Sequence, residues 1–488
     1  MKSSKVAIYL LILAVLAAYV YVVEIRQKER LDAAKQKAEK LVHLDKQLIT
    51  SLVLESEKKG EIELKKPAGA WVMSAPVKTK ADEHAVEGLL TTISGAAREK
   101  LILEKDVKWS DYGLAKPSFT VTVGTKKGAV RIFFGNQNPS KSSYYVRVDK
   151  SPELLLVADT LKNALNKSVL DLRDKTVISR APADIDRLVI NREGKETEFK
   201  REAENKWVMV KPEQIRVKAQ IVNQNLRVLT NLRAGDIIDS PEKDGDPYGL
   251  KKPTQTILLA GSKPDQALVL GNAAKKDGES ASSNDVYARV KGRDAVYVID
   301  KRALARVQTD PKQIQDRSLL QLSPADVSKF EIEIDGKKWE ASREKGGKWR
   351  VSKPEKRENI ENWPVTRLLW GLKDLQWKSI EKGAGNLSQY HLDKPNLVVS
   401  LYKEGENARI LLKAGWSETA GSEKKTDKAR DDVQPSAKKE PKQADARVTP
   451  EKVYAVVEPH EEKDAVFELD PGFVQRLRSG LKDLLKTK

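Results

Sequence analysis

Past residue 43, apolar positions along the chain fall into two periods. Period-two alternation opens three separate stretches: Leu52, Leu54, Ile62 and Leu64; Leu188 and Ile190; Phe330, Ile332 and Ile334. Such alternation predicts strands with one buried face. Each stretch gives way to a 3.6-residue period: Val86, Leu89, Leu90 and Ile93; Val222, Leu226 and Leu229; Val365, Leu368, Leu369, Leu372 and Leu375. These predict amphipathic helices, the third starting near Asn362 and Pro364. Further strands are expected at 119–123, 130–134 and 144–148, with counterparts at 256–259, 267–270 and 286–290. A strand and a short helix then close each stretch, around 155–165, 296–307 and 466–485. Strands that arrive in runs without helical crossovers predict a mainly antiparallel α+β unit.

The unit is written three times. A Trp-to-Pro phrase runs from Trp71 to Pro76, Trp207 to Pro212 and Trp349 to Pro354. A second phrase follows: Tyr112, Gly113, Leu114 and Pro117; Tyr248, Gly249, Leu250 and Pro253; Tyr390, His391, Leu392 and Pro395. Trp and Tyr are 41 positions apart in every copy, and the copies repeat after 136 and then 142 residues. Chance does not hold two phrases at one spacing three times. The period is too long for a solenoid unit and suits small tandem domains.

Residues 6–23 form an uncharged run of 18, long enough for a helix to cross a hydrocarbon core. Bulky Tyr19 to Val23 follow Ala17 and Ala18 at once, which argues against peptidase cleavage and for an uncleaved signal anchor. Lysines and arginines flank both sides of the run, so charge bias alone does not set the topology. The expected organisation is a transmembrane helix at 1–24, a charged helical stalk at 25–42, and repeat units at 43–175, 176–317 and 318–488. The third unit carries an insert at 417–452 with nine basic and eight acidic side chains and almost no large apolar residue, a composition expected to be disordered.

The repeated residues read as structural. Gly113 and Gly249 suit a left-handed turn, Leu114, Leu250 and Leu392 anchor it, and Pro117, Pro253 and Pro395 start the next strand. His391 weakens the left-handed reading in the third copy. Trp71, Trp207 and Trp349 are expected to cap a core, and Trp363, Trp370 and Trp377, seven apart, to pack into one. Asp174 and Asp316, 142 apart, are expected to cap or bridge the unit ends.

Composition then narrows the chemistry. Cysteine is absent, which excludes disulfides, thiolate metal sites and cysteine nucleophiles, and the four histidines have no metal-ligand spacing. No phosphate-binding loop, dinucleotide fingerprint or nucleophile elbow occurs. No catalytic, cofactor-binding or metal residue is therefore assigned. The net charge of +18 spreads as +4, +5, +5 and +4 over residues 1–42, 43–178, 179–317 and 318–488. A nucleic-acid site would concentrate it, so no nucleic-acid partner is expected.

The anchor, the Trp-to-Pro phrase, the YGL-K-P phrase, the Tyr-x-Arg-Val strand and the Leu-Arg-Asp ending together resemble the bacterial domain of unknown function 4340 family. The resemblance implies a single-pass protein of the cytoplasmic (inner) membrane with its bulk periplasmic. It also implies an accessory role beside a gliding-type ABC transporter system. The expected function is a non-enzymatic, membrane-anchored repeat protein that scaffolds an ABC-type transporter or envelope machine. The alternative is an envelope ligand-binding protein for polysaccharide or peptidoglycan that uses the repeated aromatics.

Overall fold

A computed structural model describes residues 19, 21, 39–103, 106–242, 245–275, 284–344, 346–403, 409–417, 449–460, 462 and 464–486. The anchor apart from Tyr19 and Tyr21, most of the stalk and residues 418–448 of the insert lie outside the described residues. Among the described residues no helix is long and apolar enough to cross a membrane.

The first copy is a nine-stranded antiparallel sheet. Its strands are β1 (Ile49–Ser56), β2 (Gly60–Lys65), β3 (Val72–Ala75), β4 (Thr79–Lys80), β5 (Lys100–Ile102), β6 (Phe119–Thr125), β7 (Gly128–Gln137), β8 (Ser143–Val148) and β9 (Leu154–Ala158). Their spatial order is β4-β3-β2-β1-β6-β7-β8-β9-β5. Two further nine-stranded sheets, starting at Ile185–Arg192 and Val327–Ile334, repeat this order strand for strand. Mainly antiparallel α+β units in tandem are thus the architecture, as the alternation predicts.

The alternation works through register. Leu52 faces Leu64 on one side and Val123 on the other; Leu188 faces Phe199 and Leu259; Phe330 faces Ala341 and Leu401. These cross-strand apolar pairs all point to one face and fix the pairing, because a one-residue slip would turn them outward. Helices Glu83–Gly95, Ala219–Thr230 and Asn362–Lys373 cover that face with the residues their periods predict, all buried. Leu375, counted in the third helical period, is buried just beyond the helix end.

Two expectations need correction. The helix of each copy is a crossover: it carries the chain from the edge strand β4 to β5 at the opposite edge, where β5 pairs with β9. The short strands Lys100–Ile102 and Asp236–Ile238 are too brief to show a period of their own. Residues 39–42, assigned to the stalk, also belong to the first copy. Leu41 and Val42 are in its core, the Leu41 amide donates to the Ala96 carbonyl at 2.8 Å, and the Arg98 amide donates to Glu39 at 2.8 Å.

The described chain divides into two compact units, 1–314 with two sheets and 315–488 with the third. In the first unit, the ends of the first copy are tied into the second. Arg173 makes a two-pronged ion pair with Asp239 at 2.8 Å for each bond, and Arg233 pairs with Asp82. Asp174 caps its own turn by accepting from the Thr176 amide at 2.9 Å, and Asp316 does the same for Ser318 at 2.9 Å.

Candidate functional site: the repeated phrases and a cationic groove

Each Trp-to-Pro phrase forms the third strand of its sheet and the turn that leaves it. Trp71, Trp207 and Trp349 are at most 1% exposed and sit in the three cores. The indole N–H of Trp207 donates to Asn223 at 3.2 Å and that of Trp349 to Asn362 at 3.0 Å, both on the covering helix. Above each ring lies a cation: Lys66 at 5.6 Å, Arg201 at 4.5 Å and Arg343 at 5.3 Å from the centroid. Pro76, Pro212 and Pro354 each follow a cis peptide bond. The residue before each proline pairs in register with a glutamate, respectively Glu63, Glu198 and Glu340. All three carboxyls are held below the usual carboxylate range, chiefly by hydrogen bonds from Lys65 to Glu63, Arg187 to Glu198 and Lys329 to Glu340.

The second phrase is a tight turn seated on the sheet. Tyr112, Tyr248 and Tyr390 pack edge-on against Tyr145, Tyr287 and Tyr454, with ring centroids 4.7, 4.9 and 5.1 Å apart. That geometry suits the aromatic quadrupole. Leu114, Leu250 and Leu392 are buried beneath the turn. Gly113 and Gly249 have φ of 70° and 69°, and His391, at 57°, adopts the same left-handed conformation. The histidine therefore keeps the left-handed conformation, contrary to the weakening read from sequence, here as the cap of a short helical turn Leu387–Tyr390.

A groove of about 710 Å³ lies in the third copy. One wall is the hairpin of Val327–Ile334 and Lys337–Arg343, joined by the two-residue turn Asp335-Gly336 with φ of 55° and 68°. Asp-Gly is the dipeptide that two-residue hairpins with two positive φ values favour. The turn aims Asp335 at the C-terminal helix Gly472–Lys486, where Arg478 donates from Nε at 2.9 Å and Nη2 at 2.8 Å. Pro354 and Glu355, at the end of the Trp349 phrase, close a second side, and the helix closes the third. Ile334, Trp339 and Leu481 line it and are themselves buried, while Lys337, Lys338, Lys353 and Lys482 also line it and are exposed.

The second copy carries a smaller groove of about 470 Å³ at the same place, lined by Arg192, Glu193, Lys195, Glu196, Thr197 and Pro212 among others. The two differ in chemistry. Ile334, Lys338 and Trp339 stand where the second copy has Arg192, Glu196 and Thr197. The third copy's groove also has a 15-residue helix as its wall, whereas the second copy's is bounded by Thr309 and by Pro311 of the four-residue helix Pro311–Ile314.

The model of the domain of unknown function DUF4340 matches residues 71–253 and again 207–363. The two matches open on Trp71 and Trp207, one repeat apart, and together cover more than half of the chain. The chain belongs to the DUF4340 family. No curated protein matches this DUF4340 chain. Among solved structures it is similar to Caulobacter crescentus pol III beta at 7% identity and a TM-score of 0.14, over 89% of this chain and 94% of that one. A DNA polymerase sliding clamp from Caulobacter crescentus gives 10% and 0.15, over 77% and 90%. The DNA polymerase III subunit beta from Pseudomonas aeruginosa gives 9% and 0.13, over 75% and 88%. Likeness this slight carries no argument.

Within the DUF4340 copies, sequence reading missed a third repeated element. Gly135-Asn136, Gly271-Asn272 and Gly415-Trp416 are the seat of the Tyr turn. A Cβ on any of these glycines would overlap the carbonyl oxygen of Tyr112, Tyr248 or Tyr390. The Asn136 and Asn272 amides donate to those of Tyr112 and Tyr248, each at 2.8 Å. The recurrence of Gly-Asn after exactly one 136-residue period was the signal for it. Sequence reading also misplaced two tryptophans, whereas Trp377 packs against the core as expected, half-buried beside Phe467. Trp363 and Trp370 are 58% and 45% exposed, on the helix face away from Val365, Leu368 and Leu369; Trp377 has left the helix for the strand Trp377–Lys382. Among the described residues no group of three or more His, Asp or Glu side chains is placed to hold a metal ion.

Proposed function

We propose that this DUF4340 chain is a non-enzymatic, membrane-anchored extracytoplasmic repeat protein, acting as an accessory or scaffold of an ABC-type transporter or envelope machine. One observation supports this reading above the others. In all three copies the repeated aromatic, glycine and proline residues build the fold, so the copies differ in their surfaces rather than in a shared reactive site. Varied surfaces on repeated cores suit protein contacts. The uncharged run at 6–23 supports single-pass anchoring in the cytoplasmic membrane. A topology reporter fused after Lys488 tests the anchoring. Activity outside the cytoplasm is expected, and activity confined to the cytoplasm would overturn it.

A second reading, binding of polysaccharide or peptidoglycan, draws on the exposed Trp363 and Trp370 in place of the buried repeated tryptophans. Retention on insoluble peptidoglycan that is lost in the W363A/W370A variant would favour it over the scaffold.

A further inference from the structure

We propose that the groove of the third copy is a docking site for an acidic, partly apolar peptide segment of a partner protein. This deepens the scaffold reading and rests on it for the existence of a partner, though not for the partner's identity. Apolar side chains of a bound segment would meet exposed Pro354, half-buried Leu485 and the edge of Trp339, and its carboxylates would meet the lysines around them. Three observations favour this occupant.

The first is the charge of the walls. Lys337, Lys338, Lys353 and Lys482 line the groove from three separate elements: hairpin, proline turn and helix. Two of them reach carboxylates only loosely, Lys338 to Glu333 at 3.5 Å and Lys353 to Glu340 at 3.6 Å. Exposed pairs of this length contribute little, so these ammonium groups are available to an incoming anion. Of the two acids in the groove, Asp335 is engaged by Arg478, which leaves Glu355 as the opposing charge. Cations distributed over three walls match several separated negative charges. A single lipid headgroup would engage one wall.

The second is Arg478. Asp335 takes its Nε and Nη2, while Nη1 is buried without a hydrogen-bond partner. A buried guanidinium nitrogen left unpaired is costly, and Arg478 adds a fifth cation to the groove lining. The third is the comparison between copies. At the same place the second copy puts Arg192, Glu196 and Thr197, which exchanges Ile334 and Trp339 for polar side chains and reverses the charge of Lys338. The third copy is therefore the specialised one.

The test uses the full chain in phosphatidylcholine nanodiscs and a fluorescein-labelled octapeptide of alternating Glu and Leu, read by fluorescence anisotropy. Saturable binding is expected. K337E/K338E should weaken it by about tenfold or more, and added salt should weaken it too, as for other charge-steered contacts. K291E/K312E, which reverses two exposed lysines outside the groove, should leave it unchanged. An alternating Gln and Leu peptide should bind far less. Equal loss in both double variants, or no saturable binding at all, would overturn the proposal. Failure to bind peptide with binding of soluble dihexanoyl-phosphatidylglycerol, lost in K337E/K338E, would also overturn it and assign the groove to lipid. None of these readouts involves a transporter, so a negative result leaves the scaffold reading to its own test.

Discussion

At position 391 a single residue shows how the repeated turn tolerates change. Gly113 and Gly249 need positive φ, and a Cβ at either would also overlap the side chain of Asn136 or Asn272. The third copy replaces both partners, His391 for glycine and Trp416 for asparagine, so the obstruction is gone and only the left-handed backbone cost remains. Gly249→Ala should therefore destabilise the second copy by about 2 kcal/mol or more, combining left-handed strain with overpacking. His391→Gly should change stability by less than about 1 kcal/mol. Urea unfolding followed by hydrogen exchange at the two turns measures both. The turn glycines and buried leucines were legible in the sequence because local φ demands leave a local mark. Asn136 was not, because its role depends on a strand that approaches the turn only in the folded sheet.

Among the elements, the hairpin glutamates and the helices make distinct predictions. Glu198 is held below the usual carboxylate range, its hydrogen bond from Arg187 outweighing the cost of burial. Glu63 and Glu340 are depressed likewise, first by Lys65 and Lys329. A carboxyl with a depressed folded pKa contributes stability that is complete above its unfolded value. That stability is lost as pH falls through the folded one. Acid unfolding should accordingly steepen below about pH 4.5, the unfolded glutamate range. In E198Q the second copy should lose stability at neutral pH and show a shallower acid limb; an unchanged acid limb by circular dichroism would count against this. The C-terminal helix buries Phe473, Val474, Leu477, Leu481 and Leu484. Leu481→Ala should cost about 2–5 kcal/mol in the third copy, checked by its thermal midpoint. Helix existence and inward faces were readable from the 3.6 period. The crossover from β4 to β5 was not, since a three-residue strand carries no period. The outward Trp363 and Trp370 were misread because spacing by seven marks one face without saying which.

For the molecule as a whole, three copies of one sheet form two compact units, 1–314 and 315–488. Calorimetry should resolve more than one unfolding step. Trp349→Ala, losing a fully buried indole at about 3–5 kcal/mol, should lower the step belonging to 315–488 and leave that of 1–314 in place. Length and repeat spacing made the three copies legible, whereas the surfaces that distinguish them follow no repeat and emerged only with the fold. The scaffold role concerns those surfaces, and its most direct test is recovery of the tagged chain from native membranes at native expression, in mild detergent, with mass spectrometry of what co-elutes. Stoichiometric co-elution of ABC-type transporter or envelope-machine subunits is the predicted result. Recovery of the chain alone, with the membrane extract otherwise intact, would contradict it.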